Sequence, residues 1–109
     1  MSKVILSMTT IPNRLNTQIL TNGIKPTLDI LTNLSYQNYE VHLNVPFVNK
    51  KTGEEYIIPE WLINYDSDKL KIFRTEDFGS ITKLIPTIDR LSDPNDIIIT
   101  VDDDLFYID

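Results

Sequence analysis

Short apolar runs alternate with longer amphipathic stretches along this chain. Val4-Ile5-Leu6-Ser7-Met8 is apolar at nearly every position and stops at Thr9-Thr10-Ile11-Pro12, which predicts a central strand apolar on both faces. After the polar loop Asn13-Arg14-Leu15-Asn16 the period lengthens. Leu20, Ile24, Leu28 and Leu31 recur at helical spacing, and Ile30 and Leu34 widen the stripe, so an amphipathic helix is predicted within 18–37. Gly23 and Pro26 interrupt it, which places its firm part from about Pro26, a residue suited to a first helical turn.

Tyr39 to Val45 alternates and stops at Pro46, a second strand. Residues 47–66 are polar, with a turn at Asn49-Lys50-Lys51-Thr52-Gly53 and a short helix starting at Pro59. Leu70 to Arg74 is a third strand. Ser80 is placed to cap the next helix, whose apolar face is Ile81, Leu84, Ile85, Ile88 and Leu91. Pro86 either bends that helix or marks where regular α-helix begins after a tight first turn. Ser92 to Asp96 is a turn, and Ile97 to Val101 a fourth strand.

The order β-α-β-β-α-β, with an insert before the third strand, predicts an α/β domain over 1–109. Its core is a Rossmann-like parallel sheet with right-handed crossovers. In such sheets ligands bind at the carboxyl ends of the strands. Thr9, Thr10 and Arg14 follow the first strand, Thr75, Glu76, Asp77 and Gly79 the third, and Asp102, Asp103 and Asp104 the fourth. All fall on one predicted edge.

Composition narrows the chemistry. The 109 residues suit one core, and 41% hydrophobic with 24% charged residues is globular rather than disordered. Ten Lys and Arg against sixteen Asp and Glu give a net charge of −6, against a broad nucleic-acid or anionic-membrane surface. A phosphate-bearing small ligand is still compatible, because a metal ion supplies positive charge. Without Cys there is no disulfide, thiol nucleophile or Cys zinc site, and His42 alone cannot build a histidine cage. No segment approaches the apolar length of a membrane span, and MSKVILSMTT lacks a secretory signal, so a cytoplasmic location is expected.

Three consecutive carboxylates repel one another unless a cation neutralises them. Asp102 and Asp104 alternate onto one side of an extended chain, and hard oxygen ligands of this kind suit Mg²⁺ or Mn²⁺. Taken singly these residues have plainer readings. An Asp run serves as a solvated turn or cap, Lys83 as a solvated helix residue, Arg14 as a loop cation, and Asp77 and Gly79 as turn chemistry. Tyr36, Tyr39, Trp61 and Phe73 read as core or core-edge residues, and His42 as a strand residue with no catalytic role. Convergence on one edge is what favours a site.

VDDD after an Ile-rich strand resembles the DXD motif of GT-A-fold nucleotide-sugar glycosyltransferases. SMTTIPNR resembles the first strand and nucleotide loop of a branch with bacterial and large-DNA-virus members. SYQNYEVHLNVP resembles the following helix end and second strand, and EDFGSITKLIP the segment before the DXD strand. The resemblance implies that Thr9, Thr10 and Arg14 line the nucleotide pocket, with Arg14 near the diphosphate. Asp77 lies by the base or ribose, Gly79 admits the backbone to the nucleotide, and Lys83 reaches toward it. Asp102 and Asp104 hold the Mn²⁺ or Mg²⁺ directly or through water, and Asp103 contacts the ribose or sugar. The partners implied are a nucleotide-diphospho-sugar donor and a glycan or glycoconjugate acceptor. No catalytic residue is assigned.

Two departures accompany the resemblance. Leu43-Asn44-Val45-Pro46 stands where the family commonly has an Asp-rich strand end. A complete GT-A domain also continues well past DXD, so the expectation is a donor-binding half, paired with a missing C-terminal half or self-associating. The alternatives are another Mg²⁺-dependent phosphate-binding domain, of receiver or topoisomerase-primase type, and a non-enzymatic assembly module. A receiver needs an acidic pair after the first strand, where this chain has Thr9-Thr10, and the topoisomerase-primase type expects a Glu there.

Overall fold

Four strands form one all-parallel sheet: β1 (Val4–Thr9), β2 (Tyr39–Pro46), β3 (Leu70–Thr75) and β4 (Ile97–Thr100), in the order β3-β2-β1-β4. The computed structural model describes residues 3–10, 24–65, 67–91, 93 and 95–101. Between the strands lie α1 (Lys25–Leu31), α2 (Glu60–Ile63), a 3₁₀ segment (Gly79–Lys83) and α3 (Ile85–Arg90). This is the α/β, Rossmann-like architecture expected. Among the described residues no helix is long and apolar enough to cross a membrane.

The chain winds outward from β1 to β2 to β3, then returns past β1 to form β4. With right-handed crossovers, that reversal sends the two sets of helices to opposite faces. One face of the sheet is apolar. Leu6 and Met8 of β1 and Val41, Leu43 and Val45 of β2 share a buried cluster with Ile24, Leu28 and Leu31 around α1 and with Leu62 of α2. Period-2 alternation turns Ser7, His42 and Asn44 to the other face, paired in register as Ser7 with His42 and Thr9 with Asn44. The 3₁₀ segment and α3 pack on this polar face.

Several sequence expectations are corrected here. β1 is not apolar on both faces, because buried Ser7 bonds the Lys83 carbonyl and the Thr87 hydroxyl. The first helix ends at Leu31, not near Gln37. Thr32 Oγ1 bonds the Leu28 carbonyl at 2.8 Å, Asn33 Nδ2 bonds the Asp29 carbonyl at 2.6 Å, and these side chains take up carbonyls at the helix end. Leu34 therefore lies beyond the helix and is exposed, as is Tyr36. Pro26 does sit in the first turn. Ser80 is no cap but lies inside the 3₁₀ segment, which Phe78 precedes. Pro86 does mark the start of regular helix after that tight segment.

The apolar face predicted for this last stretch points the wrong way. Ile81 and Ile88 are exposed, whereas Thr82, Pro86 and Thr87 are buried. The reason is the strand face beneath. Ser7 and Asn44 are fully buried and need hydrogen-bonding partners, so threonines rather than isoleucines turn inward.

The insert between β2 and β3 starts with a tight hairpin. Val48 bridges Glu55, Asn49 Oδ1 accepts from the amides of Lys51 and Thr52, and Gly53 takes φ +76°. That is the turn predicted at 49–53. Arg74 of β3 ties the hairpin down, donating to the carbonyls of Pro46 and Tyr56 at 3.2 and 2.9 Å, with its guanidinium 4.9 Å from the Phe47 ring.

Candidate functional site

The carboxyl edge of the sheet gathers the ends of all four strands. The reversal of winding falls between β1 and β4, so the switch point, where parallel sheets open a crevice, lies between Thr9 and Thr100. The Val101 amide donates to the Ser7 carbonyl at 2.9 Å, so the pairing continues one residue past β4. Val101 and Thr10 are both buried at this edge.

Of the predicted site residues, Thr9, Thr10, Asp77, Gly79 and Lys83 are described. Arg14, Asp102, Asp103 and Asp104 lie outside the described residues. Thr9 ends β1, and its hydroxyl donates to the Asn44 carbonyl at 2.6 Å, lacing the ends of β1 and β2 together. Lys83 ends the 3₁₀ segment, and its carbonyl accepts the Ser7 hydroxyl. Among the described residues no cluster of three His, Cys, Asp or Glu could hold a metal.

Asp77 organises the loop after β3. Its Oδ1 accepts from the Gly79 amide at 2.8 Å and the Thr82 hydroxyl at 3.4 Å, and its Oδ2 accepts from the Lys50 amide at 2.9 Å. One carboxylate thus joins the hairpin to the 3₁₀ segment. Partial burial pushes its pKa up, but the backbone donors of Lys50 and Gly79 outweigh that and hold it below the usual value. Gly79 has φ +67°, a left-handed conformation that glycine adopts without strain. Lys50 adds an exposed ion pair to Glu76 at 3.7 Å.

Beneath this edge runs a buried polar network that sequence reasoning missed. Asn44 Nδ2 donates to the Thr82 carbonyl at 2.9 Å and Thr87 Oγ1 at 3.0 Å. Arg90 Nη2 donates to Asn44 Oδ1 at 2.8 Å and Thr87 Oγ1 at 3.1 Å. Ser7 Oγ and Thr87 Oγ1 are 2.6 Å apart. Arg90 also lies 3.5 Å over the Phe73 ring and 3.2 Å from His42 Nδ1. Arg90 can only donate, so Nδ1 accepts and Nε2–H donates to Glu40 Oε1 at 2.9 Å. Lys3 closes the chain on Glu40 at 3.3 Å. The available signals were Ser7 and Asn44, polar residues inside otherwise apolar strand runs.

The network fixes the 3₁₀ segment on the sheet, and with it Asp77, Gly79 and Lys83 relative to the end of β1. It braces the carboxyl edge of the sheet from below. A search against protein families, curated proteins and solved structures finds no match to this chain.

Proposed function

We propose that this chain binds the nucleoside diphosphate of a sugar donor at the carboxyl edge of its sheet, as the donor side of a metal-dependent glycosyltransferase. One observation carries the reading. β1 and β4 are parallel neighbours across the switch point, with Val4 to Ser7 in register with Ile97 to Thr100. The two segments that resemble the family's nucleotide loop and DXD motif therefore leave adjacent strand ends, where parallel sheets open their ligand crevice. A parallel sheet with the DXD stretch on a distant strand would have carried no such reading.

In this proposal Asp102 and Asp104, directly after Val101, hold Mn²⁺ or Mg²⁺, which supplies Lewis-acid stabilisation of the departing diphosphate. Their carboxylates are hard oxygen ligands that fit either ion. Thr9, Thr10 and Arg14 frame the diphosphate from β1. Gly79 offers backbone from the facing segment, Lys83 adds a cation, and Asp77 holds that segment in place. Asp103 contacts the ribose or the sugar, and a glycan or glycoconjugate is the acceptor.

Strand order weighs against the receiver alternative. The flavodoxin-like order 2-1-3-4-5 sets the first strand between the second and third, whereas here β2 lies between β1 and β3. The test of the metal role is the Asp102→Ala, Asp104→Ala double variant. Metal-dependent nucleotide binding disappears in it if the reading is right; binding as strong as in the parent chain excludes the metal role.

A further inference from the structure

A cleft of about 370 Å³ opens between α1 and α2, lined among others by Lys25, Asp29, Asn33, Trp61, Asn64 and Tyr65. The stretch after α1 runs into the start of β2, and the stretch after α2 runs into the start of β3. Asn33, Asn64 and Tyr65 therefore sit toward the amino ends of the strands, at the opposite edge from Thr10 and Asp77. We infer that this cleft is a second ligand site, which takes a neutral sugar residue.

The lining decides the class. Lys25 Nζ pairs with Asp29 Oδ2 at 2.9 Å, so among the described residues the charges that line the cleft cancel. A phosphate would face Asp29 and a cation would face Lys25, so neither is favoured. Amides and hydroxyls dominate the remainder, which disfavours an apolar ligand. Two aromatic rings complete the wall, Trp61 and Tyr65, edge-to-face with centroids 6.4 Å apart. An aromatic surface for C–H groups beside converging amides and hydroxyls is what a neutral polyol needs. The size lies in the range of small-molecule pockets.

The hydrogen-bonding capacity is set in advance. Tyr65 Oη donates to Asp29 Oδ1 at 2.6 Å and lies 3.2 Å from Thr32 Oγ1, so the ring is held in place. Burial and the Asp29 bond push its pKa up to about 12, which keeps the hydroxyl protonated. Asn33 gives one of its two amide N–H groups to the Asp29 carbonyl, and its Oδ1 stays an acceptor. Lys25 has N–H groups beyond the one given to Asp29. Asn64 is exposed, and its side chain makes no hydrogen bond among the described residues. The cleft thus offers an acceptor, a donor and one bifunctional amide around an aromatic wall.

This inference does not rest on the donor-site reading. Trp61 is the only tryptophan in the chain, so tryptophan emission, excited selectively over the five tyrosines, reports from this cleft. The intact chain is titrated with glucose, galactose, mannose and N-acetylglucosamine, without nucleotide or metal, and then with maltooligosaccharides. At least one sugar gives a saturable change in Trp61 emission, weakened about threefold to tenfold in Asn64→Ala, where one hydrogen bond is lost. Amide shifts in NMR then map to α1 and α2. Tighter binding with chain length identifies a glycan chain, and equal binding a single residue. The inference is overturned by no saturable change with any sugar, by unchanged affinity in Asn64→Ala, or by shifts confined to residues 9–10 and 75–79. Asn64→Ala removes an exposed side chain, so the variant stays folded by circular dichroism.

Discussion

Arg90 Nη2 donates to Asn44 Oδ1 at 2.8 Å, joining the last turn of α3 to the middle strand pair of the sheet. Asn44 has no solvent exposure, and its own amide holds the Thr82 carbonyl and Thr87 hydroxyl. One side chain thus satisfies groups on the 3₁₀ segment and on α3. Asn44→Ala takes a buried donor from the Thr82 carbonyl and an acceptor from Arg90, while Thr87 keeps Ser7 and Arg90, and the expected loss is about 1–3 kcal/mol. Urea unfolding measures it. A loss under about 0.5 kcal/mol would show that the network does not anchor α3.

Acid should loosen the same contact. Burial pushes the His42 imidazole below its ordinary 6.5, Glu40 pulls it back up, and Arg90 adds to the depression. A lowered histidine pKa favours the neutral ring in the fold. That stability is present above pH 6.5 and is lost as pH falls through the folded value. Burial raises the Glu40 carboxyl, but His42 and Lys3 outweigh it and hold it below 4.5, so its contribution is lost lower still. Lys71, in register beside His42, adds no acid to compensate. The melting temperature should therefore fall from pH 7 to pH 5, with a flatter slope in His42→Gln. His42 is the sole histidine, so its NMR titration gives the folded value directly.

Much of this arrangement was legible in the sequence and part of it was not. The apolar runs marked all four strands, and Pro26 and Pro86 marked the first turns of two helices, because proline acts locally through its own backbone. Helix facing was another matter. Ile81 and Ile88 looked like the buried stripe, but Ser7 and Asn44 on the opposing strands demanded Thr82, Thr87 and Arg90 instead. That demand comes from residues far apart in sequence and has no periodic signature. The early end of α1 has a similar cause, since Thr32 and Asn33 compete for its last carbonyls. At the candidate site, the strand-end position of Thr9, Thr10, Asp77 and Gly79 followed from topology, whereas the clamping role of Asp77 needed coordinates.

Gly79 tests that clamp. Its φ is +67°, and a Cβ added there meets nothing within 4 Å, so the cost of a side chain is backbone strain alone. Gly79→Ala should cost about 1–2 kcal/mol, and Gly79→Asn less, because asparagine tolerates the left-handed region. Equal stability of Gly79→Val and the parent chain by thermal unfolding would contradict this.

Tyr65 should titrate late. Burial and its bond to Asp29 push it to about 12, with Thr32 opposing. A raised pKa means stability that is present below pH 10 and lost as pH rises through the folded value. In Asp29→Asn the Tyr65 resonance should titrate closer to 10, as followed by NMR on ring-labelled tyrosine. An unchanged midpoint would mean that the 2.6 Å contact does not govern the phenol.

The donor-site proposal is tested most directly by thermal shift against UDP, GDP and dTDP, each with Mn²⁺, Mg²⁺ or EDTA. A ligand at about 100 times its dissociation constant adds roughly 2.7 kcal/mol to stability. The account predicts a rise in melting temperature that needs one nucleotide and one metal together and vanishes with EDTA. No rise with any pair, or a rise indifferent to metal, would contradict it.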